Sequence, residues 1–310
     1  GDLLRGLIDR LRKNFQYSLD QTHLDVVWEL PVGKLTHNNV SYISVVLDRK
    51  VSGEYSIEIF FWKNGQGNDD ILQRELHRNL SLPDIPHKLI ETIRNNHHLL
   101  VENGRSLFID FFLPTDLLLA TDEQWQMPDQ WKIPRARDSS VTFGERYVVA
   151  VRSLERLQDA DFRFSWRKYE FDEQSLDDDG SLHPNIFWVD NQTEYGSSYL
   201  RRNLQSAQYC QCICAGLATI LTENRFFELL EAGIPVAVWH RRQINTLTVK
   251  DMQLKIEASM VQKLPHKFKE WRTHTDIQIQ EFANQLTLMW DFPKRIPPQY
   301  RLVSQSVKGE

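Results

Sequence analysis

Charged side chains gather at the ends of four apolar runs in this chain. Asp116 follows the run 107–113; Arg152, Glu155 and Arg156 follow 147–151; Glu223, Asn224 and Arg225 follow 210–221; and His240, Arg241 and Arg242 follow 234–239. A guanidinium presents a planar fork of donors that matches a carboxylate or a phosphate. Seven residues, Asp116, Arg152, Glu155, Arg156, Arg241, Arg242 and Asp291, therefore form a candidate binding set for an acidic partner loop or a nucleotide phosphate. The competing reading is an internal network in which Glu155, Asp110 or Asp291 satisfies Arg152 and Arg156, and it takes precedence because ion-pair networks order side chains without any catalysis. An enzymatic alternative, a hydrolase, would use His240 or Glu155 as acid/base, with the arginines holding an anionic substrate.

Other reactive types read as structural. Cys210, Cys212 and Cys214, the only three cysteines, alternate along one segment, whereas metal-binding cysteines usually have a turn between them. They are expected in a core. No two of His77, His87, His97 and His98 show the i, i+4 spacing of a helical zinc pair, and Asp177 to Asp179 lack the alternating acids of a calcium loop. No metal and no cofactor is expected, and a Gly-rich phosphate loop after a strand is missing.

The elements that must position these groups are strands and short helices. Runs at 24–30, 42–47 and 55–62 are rich in β-branched and aromatic residues between turn formers, which predicts an antiparallel meander. Helical spacing is read at 3–15, 69–80, 88–101, 199–207, 249–263 and 275–289. The stretch 123–138, with Trp125, Trp131, Pro128 and Pro134, reads as an ordered loop pinned by its tryptophans. Segments 107–113, 147–153, 186–189 and 210–221 read as strands. Phe226 to Ala232 reads as a short helix closed by Gly233 before a strand at 234–239, giving a βαβ unit with a parallel pair. Trp239 and Trp290 end apolar runs and are expected in the core. The fold class is α/β, with a mixed, largely parallel central sheet, flanking helices and an antiparallel N-terminal meander. Residues 1–105 are read as the helix-plus-meander part, 106–300 as the α/β core and 301–310 as a tail.

Composition narrows the function classes. With 310 residues, 41% hydrophobic and 25% charged, the chain can bury a full core. A net charge of −5 disfavours nonspecific nucleic-acid binding, which calls for a basic surplus. No apolar run approaches the roughly 20 residues of a membrane span, and the start lacks a signal-peptide layout. Few cysteines suit a reducing compartment, so the expectation is a cytoplasmic protein. The chain opens on Gly1 rather than Met, which points to a processed fragment with modules upstream.

Three segments, Ser106-Leu-Phe-Ile-Asp-Phe-Phe-Leu-Pro114, Arg146-Tyr-Val-Val-Ala-Val-Arg-Ser-Leu-Glu-Arg-Leu157 and Ala232-Gly-Ile-Pro-Val-Ala-Val-Trp-His-Arg-Arg242, occur in register with Gln285-Leu-Thr-Leu-Met-Trp-Asp-Phe-Pro-Lys-Arg-Ile-Pro297. Together with the loop from Asp122 to Trp125 they resemble the C-terminal domain of vWA-MoxR associated proteins, a module of bacterial conflict and defence systems. The chain departs from the family pattern where Phe292, rather than a second acid, follows Asp291. The resemblance implies a partner-dependent regulatory module at the end of larger proteins, and a non-catalytic interaction module is the first hypothesis. Such a module would couple an effector such as a protease to a vWA protein and a MoxR-type AAA+ ATPase.

Overall fold

Alternation of large apolar side chains builds the centre of the molecule. A computed structural model describes residues 41–50, 52–62, 71–96, 99, 107–120, 126–134, 140–159, 161–162, 186–189, 214–217, 221–241, 255–256, 263–291 and 296–300. Strands β1 (Ser41–Arg49), β2 (Tyr55–Trp62) and β3 (Ile71–Leu80) form the meander, and helix α1 (Asp84–Asn95) follows. Then come β4 (Leu107–Leu113), α2 (Thr115–Leu118), a 3-10 turn at Pro128–Gln130, β5 (Lys132–Pro134), β6 (Ser140–Thr142), α3 (Phe143–Arg146), β7 (Val148–Ser153) and α4 (Leu154–Gln158). The remainder contributes β8 (Ile186–Val189), β9 (Cys214–Leu217), α5 (Glu223–Glu231), β10 (Val236–His240), α6 (Leu264–Arg272), α7 (Ile277–Asn284) and β11 (Leu286–Trp290). The expected elements at 3–15, 24–30 and 199–207 lie outside the described residues, as does nearly all of 249–263.

Nine strands make one sheet in the order β3-β2-β1-β4-β7-β11-β10-β9-β8. β1, β4, β7 and β11 run in one direction; β10 is antiparallel to β11 and parallel to β9, which is parallel to β8. The expected βαβ unit is therefore present as β9-α5-β10, inside a mixed sheet. β1 pairs with β4, so the meander and the α/β part share this sheet.

β4 is buried at every position, as a strand covered on both faces must be. Its odd residues, Ile109, Phe111 and Leu113, join Ile43, Val45, Ile57, Ile59 and the α1 residues Ile85, Leu89 and Ile93 in one apolar cluster. On the other face Phe108 packs with Val148, Ala150, Val236, Leu288 and the α6 residues Leu264 and Phe268. Phe112 there joins Phe60, Trp62, Leu154 and Leu157. Each fully buried aromatic or branched side chain contributes about 1.5–3 kcal/mol. Trp239 and Trp290 are buried as expected.

Three expectations need correction. Of the stretch 69–80, read as helical, Ile71–Leu80 is the edge strand β3, paired antiparallel with β2. Its inward positions are Gln73, Glu75 and His77, polar residues that hide the strand period. They are held by α1, where Asn96 Nδ2 donates to Glu75 Oε1 at 2.5 Å and His77 Nε2 meets Thr92 Oγ1 at 3.1 Å. Residues 286–289, read as the end of the helix 275–289, belong to β11 (Leu286–Trp290), buried throughout between β7 and β10. A short apolar run buried on both sides carries no period that separates strand from helix. Within the loop 123–138, Trp131 is buried edge-on against Phe111, with 5.3 Å between ring centroids. The same stretch holds a 3-10 turn and β5, which pairs with β6 in a small second sheet.

Candidate functional site

Strand direction decides which charged groups can meet. β7 and β11 end side by side, so Arg152, Glu155, Arg156 and Asp291 gather at their carboxyl ends near the end of β4. β10 runs the other way, so His240 sits opposite Leu286, at the amino end of β11. The rule that gathers strand-end groups at one mouth assumes strands of one direction. Inserting β11 reverses β10 and β9, and the groups divide between opposite ends of the sheet.

At the first end the cluster is dry. Arg152 Nε donates to Asp291 Oδ1 at 3.0 Å, and Arg152 Nη1 lies 3.5 Å from Asp110 Oδ2. The Arg152 guanidinium covers the Phe112 ring at 4.3 Å. Arg156 Nη1 lies 3.3 Å from Asp291 Oδ2 and donates to the Ile234 carbonyl at 3.0 Å. Its Nη2 reaches the carbonyls of Leu229 and Leu230. These last-turn carbonyls of α5 also accept from the Ile234 and Gly233 amides, and a cation beside them suits the helix dipole. Arg152, Arg156 and Asp291 are 0% exposed and Asp110 is 1% exposed. Two arginines and two aspartates balance in charge, which a buried cluster requires. The internal network expected from the sequence is thus formed through Asp110 and Asp291.

Glu155 does separate work. Ser153 Oγ accepts from the Arg156 amide and donates to Glu155 Oε2 at 2.9 Å, capping α4. Glu155 Oε1 accepts the Thr115 amide at 2.6 Å, tying α4 to the first turn of α2. Asp116, two-fifths exposed or more, pairs with Arg49 on the surface at 2.8 Å.

At the second end Arg241 Nη2 donates to Asp129 Oδ1 at 2.6 Å, while Arg272 Nη2 lies 2.7 Å from Asp129 Oδ2. Arg241 also donates to Thr287 Oγ1 and to the carbonyls of Asn284 and Leu286. Gln130 Nε2 reaches the same Asn284 carbonyl. Burial opposes ionisation of Asp129, but the charges of Arg241 and Arg272 outweigh it and hold the carboxyl below its usual range. Burial in turn pulls Arg272 down from its ordinary value, partly offset by Asp129. Gly144 permits this contact, since a Cβ there would sit 2.8 Å from Arg272 Cδ and 3.0 Å from Asp129 Cβ.

His240 is fully buried at this end, with Glu223, Asn224 and Arg225 following β9 at the same end of the sheet. His240 and Glu155 therefore cannot act on one position. Arg242, Cys210 and Cys212 lie outside the described residues, as do His97, His98 and the Asp177 loop. Sequence reasoning missed Asp129 and Arg272. The only signal was a lone acid beside Pro128 in an aromatic loop, and nothing in the sequence named its partners. Among the described residues no group of three or more His, Cys, Asp or Glu is placed to hold a metal ion, and no helix is long and apolar enough to cross a membrane.

The sequence pattern of the vWA-MoxR associated protein C-terminal domain matches residues 53–293. The chain belongs to that family, whose name associates it with vWA and MoxR proteins. No curated protein matches the chain. Among solved structures, Marinitoga piezophila Argonaute in complex with 5′ OH guide RNA is similar over 25% of this chain and 13% of that one, at 18% identity and a TM-score of 0.20. That likeness is too slight to carry an argument.

Proposed function

We propose that this domain is a non-catalytic regulatory module of a bacterial conflict system, of antiviral type, working in the cytoplasm. In this reading it couples an effector such as a protease to a vWA protein and a MoxR-type AAA+ ATPase. The observation that carries the reading is the family match over residues 53–293. The site geometry supports it, because the arginines that could hold an anionic substrate are engaged inside the fold. We assign partner contact to Asp116, exposed at the first end, with its part-buried neighbour Glu155; Arg241 at the other end is held inside the fold by Asp129 and Thr287. Arg152, Arg156 and Asp291 keep the strands that carry them in place.

The experiment is co-expression of the chain with a vWA protein and a MoxR-type ATPase from its genomic neighbourhood, followed by affinity capture. Stoichiometric co-purification that Asp116→Arg weakens at least tenfold, at unchanged melting temperature, supports the reading. Absence of any complex overturns it.

A further inference from the structure

The outer edge of the meander is open among the described residues. β3 ends the nine-strand order, with β2 on one side and no described strand on the other. Such an edge offers a row of backbone donors and acceptors to any extended segment that reaches it. Leu72 and Leu76 of β3 are 44% and 43% exposed, two of the three exposed large apolar residues among those described. Arg74 and Arg78, both exposed, stand two positions to either side of Leu76. Arg74 already meets Glu58 of β2, whereas Arg78 has no acid partner among the described residues. A basic-apolar-basic row on an open edge fits a strand that alternates acid, apolar, acid, because opposite charges and apolar pairs facing across a ladder stabilise it.

One segment of the chain has that alternation. Asp25, Val27 and Glu29 occupy every second position of 24–30, the run expected to join the meander and outside the described residues. It has no place beside β1, whose two sides are taken by β2 and β4, so only an end strand of the sheet is open to it. Tyr42, Trp62 and Ile71 lie in one row across β1, β2 and β3. From the start of β1, a position beyond β3 is three strand spacings away, about 14 Å. The ten residues 31–40 span up to about 33 Å. A position beyond β8 is seven spacings away, about 34 Å, at the limit of that link. A segment leading into β1 arrives at this end of the sheet, which makes it antiparallel to β3. Val27 against Leu76 then puts Asp25 against Arg78 and Glu29 against Arg74, with Trp28 on the α1 side opposite Glu75. The tail 301–310 has the wrong charges for this row, with Arg301, Lys308 and a single acid at Glu310.

We propose that the free edge of β3 is the docking site of the chain's own segment 24–30, added antiparallel with Val27 on Leu76 and Asp25 on Arg78. Docking pairs the open edge and covers an apolar side chain that otherwise faces water. The contact lies within one chain and does not rest on the partner reading.

Disulfide trapping on the full chain tests it. Val27→Cys is combined with Leu76→Cys or, as the control, with Ser52→Cys in the exposed turn between β1 and β2. After mild oxidation the bonds are mapped by mass spectrometry, so that the native cysteines are scored separately. The Leu76 pair is expected to close within one molecule at least tenfold more than the control. Adding Asp25→Arg should lower its yield at least fivefold, and adding Arg78→Asp to that variant should restore it, which a segment merely tethered nearby would not show. Equal yields for the two pairs, a yield indifferent to Asp25→Arg, or bonds formed only between two molecules overturns the proposal. If the variants do not fold, hydrogen exchange on the parent chain decides. The edge-facing amides of β3 are expected to exchange at least tenfold slower than unprotected amides, and exchange at the unprotected rate overturns the proposal.

Discussion

Arg152 and Asp291 lie 139 residues apart in the chain and 3.0 Å apart in the fold, both fully buried. Asp291 is shared, since Arg156 approaches its second oxygen at 3.3 Å. Truncating one member leaves a charge without its counterpart in a dry setting, at a cost of about 3–5 kcal/mol. Arg152→Ala should lower the denaturation midpoint accordingly, measured by urea unfolding followed by tryptophan fluorescence. A loss below about 1 kcal/mol would return Arg152 to the list of surface binding residues.

Arg156→Lys tests the guanidinium rather than the charge. Arg156 reaches Asp291 and the carbonyls of Ile234, Leu229 and Leu230 at once, which a single ammonium cannot reproduce. The expected cost is about 1.5–3 kcal/mol, the range for hydrogen bonds to a charged group. Thermal unfolding of the lysine variant checks it, and a melting temperature equal to the parent's would contradict it.

The Asp129 carboxyl, held low by Arg241 and Arg272, makes stability depend on acid. A free aspartate titrates near about 3.9, so below that pH the unfolded chain takes up a proton that the folded chain still resists. The contribution is complete above that value and is lost as pH falls through the lower folded-state value. Urea midpoints measured from pH 6 down to pH 3 should fall more steeply in the parent than in Asp129→Asn, which lacks the titrating group. Parallel curves would contradict the assignment.

Gly144→Ala puts a methyl where Arg272 Cδ and Asp129 Cβ already stand. Overpacking of this kind costs about 1–3 kcal/mol. The same substitution should flatten the acid dependence by displacing Arg272 from Asp129. A variant as stable as the parent would show that α6 can retreat.

Much of the architecture is legible in the chain. The run 55–62 coincides with β2 and 186–189 with β8, because β-branched and aromatic residues crowd into short segments between turn formers. Pro86 concealed the start of α1, which begins at Asp84 and accommodates the proline in its first turn. The reading of 286–289 as helix had the largest consequence. With no strand there, β10 has nothing to reverse it, and the charged ends of β7 and β10 appear to share a mouth. The network around Arg152 was accessible because Asp110 is an isolated acid within an apolar strand and Asp291 one that directly follows such a strand. Asp129 and Arg272 were not accessible, because their meeting depends on a loop folding back across more than a hundred residues.

The central claim is that the strand-end charges hold β11 in the sheet rather than line an open pocket, and a double-mutant cycle on Arg152 and Asp291 tests it most directly. Urea unfolding of Arg152→Ala, Asp291→Ala and the pair should give a coupling energy of at least about 1.5 kcal/mol, toward the upper part of the range for residues in one network. Additive losses, with coupling near zero, would contradict it.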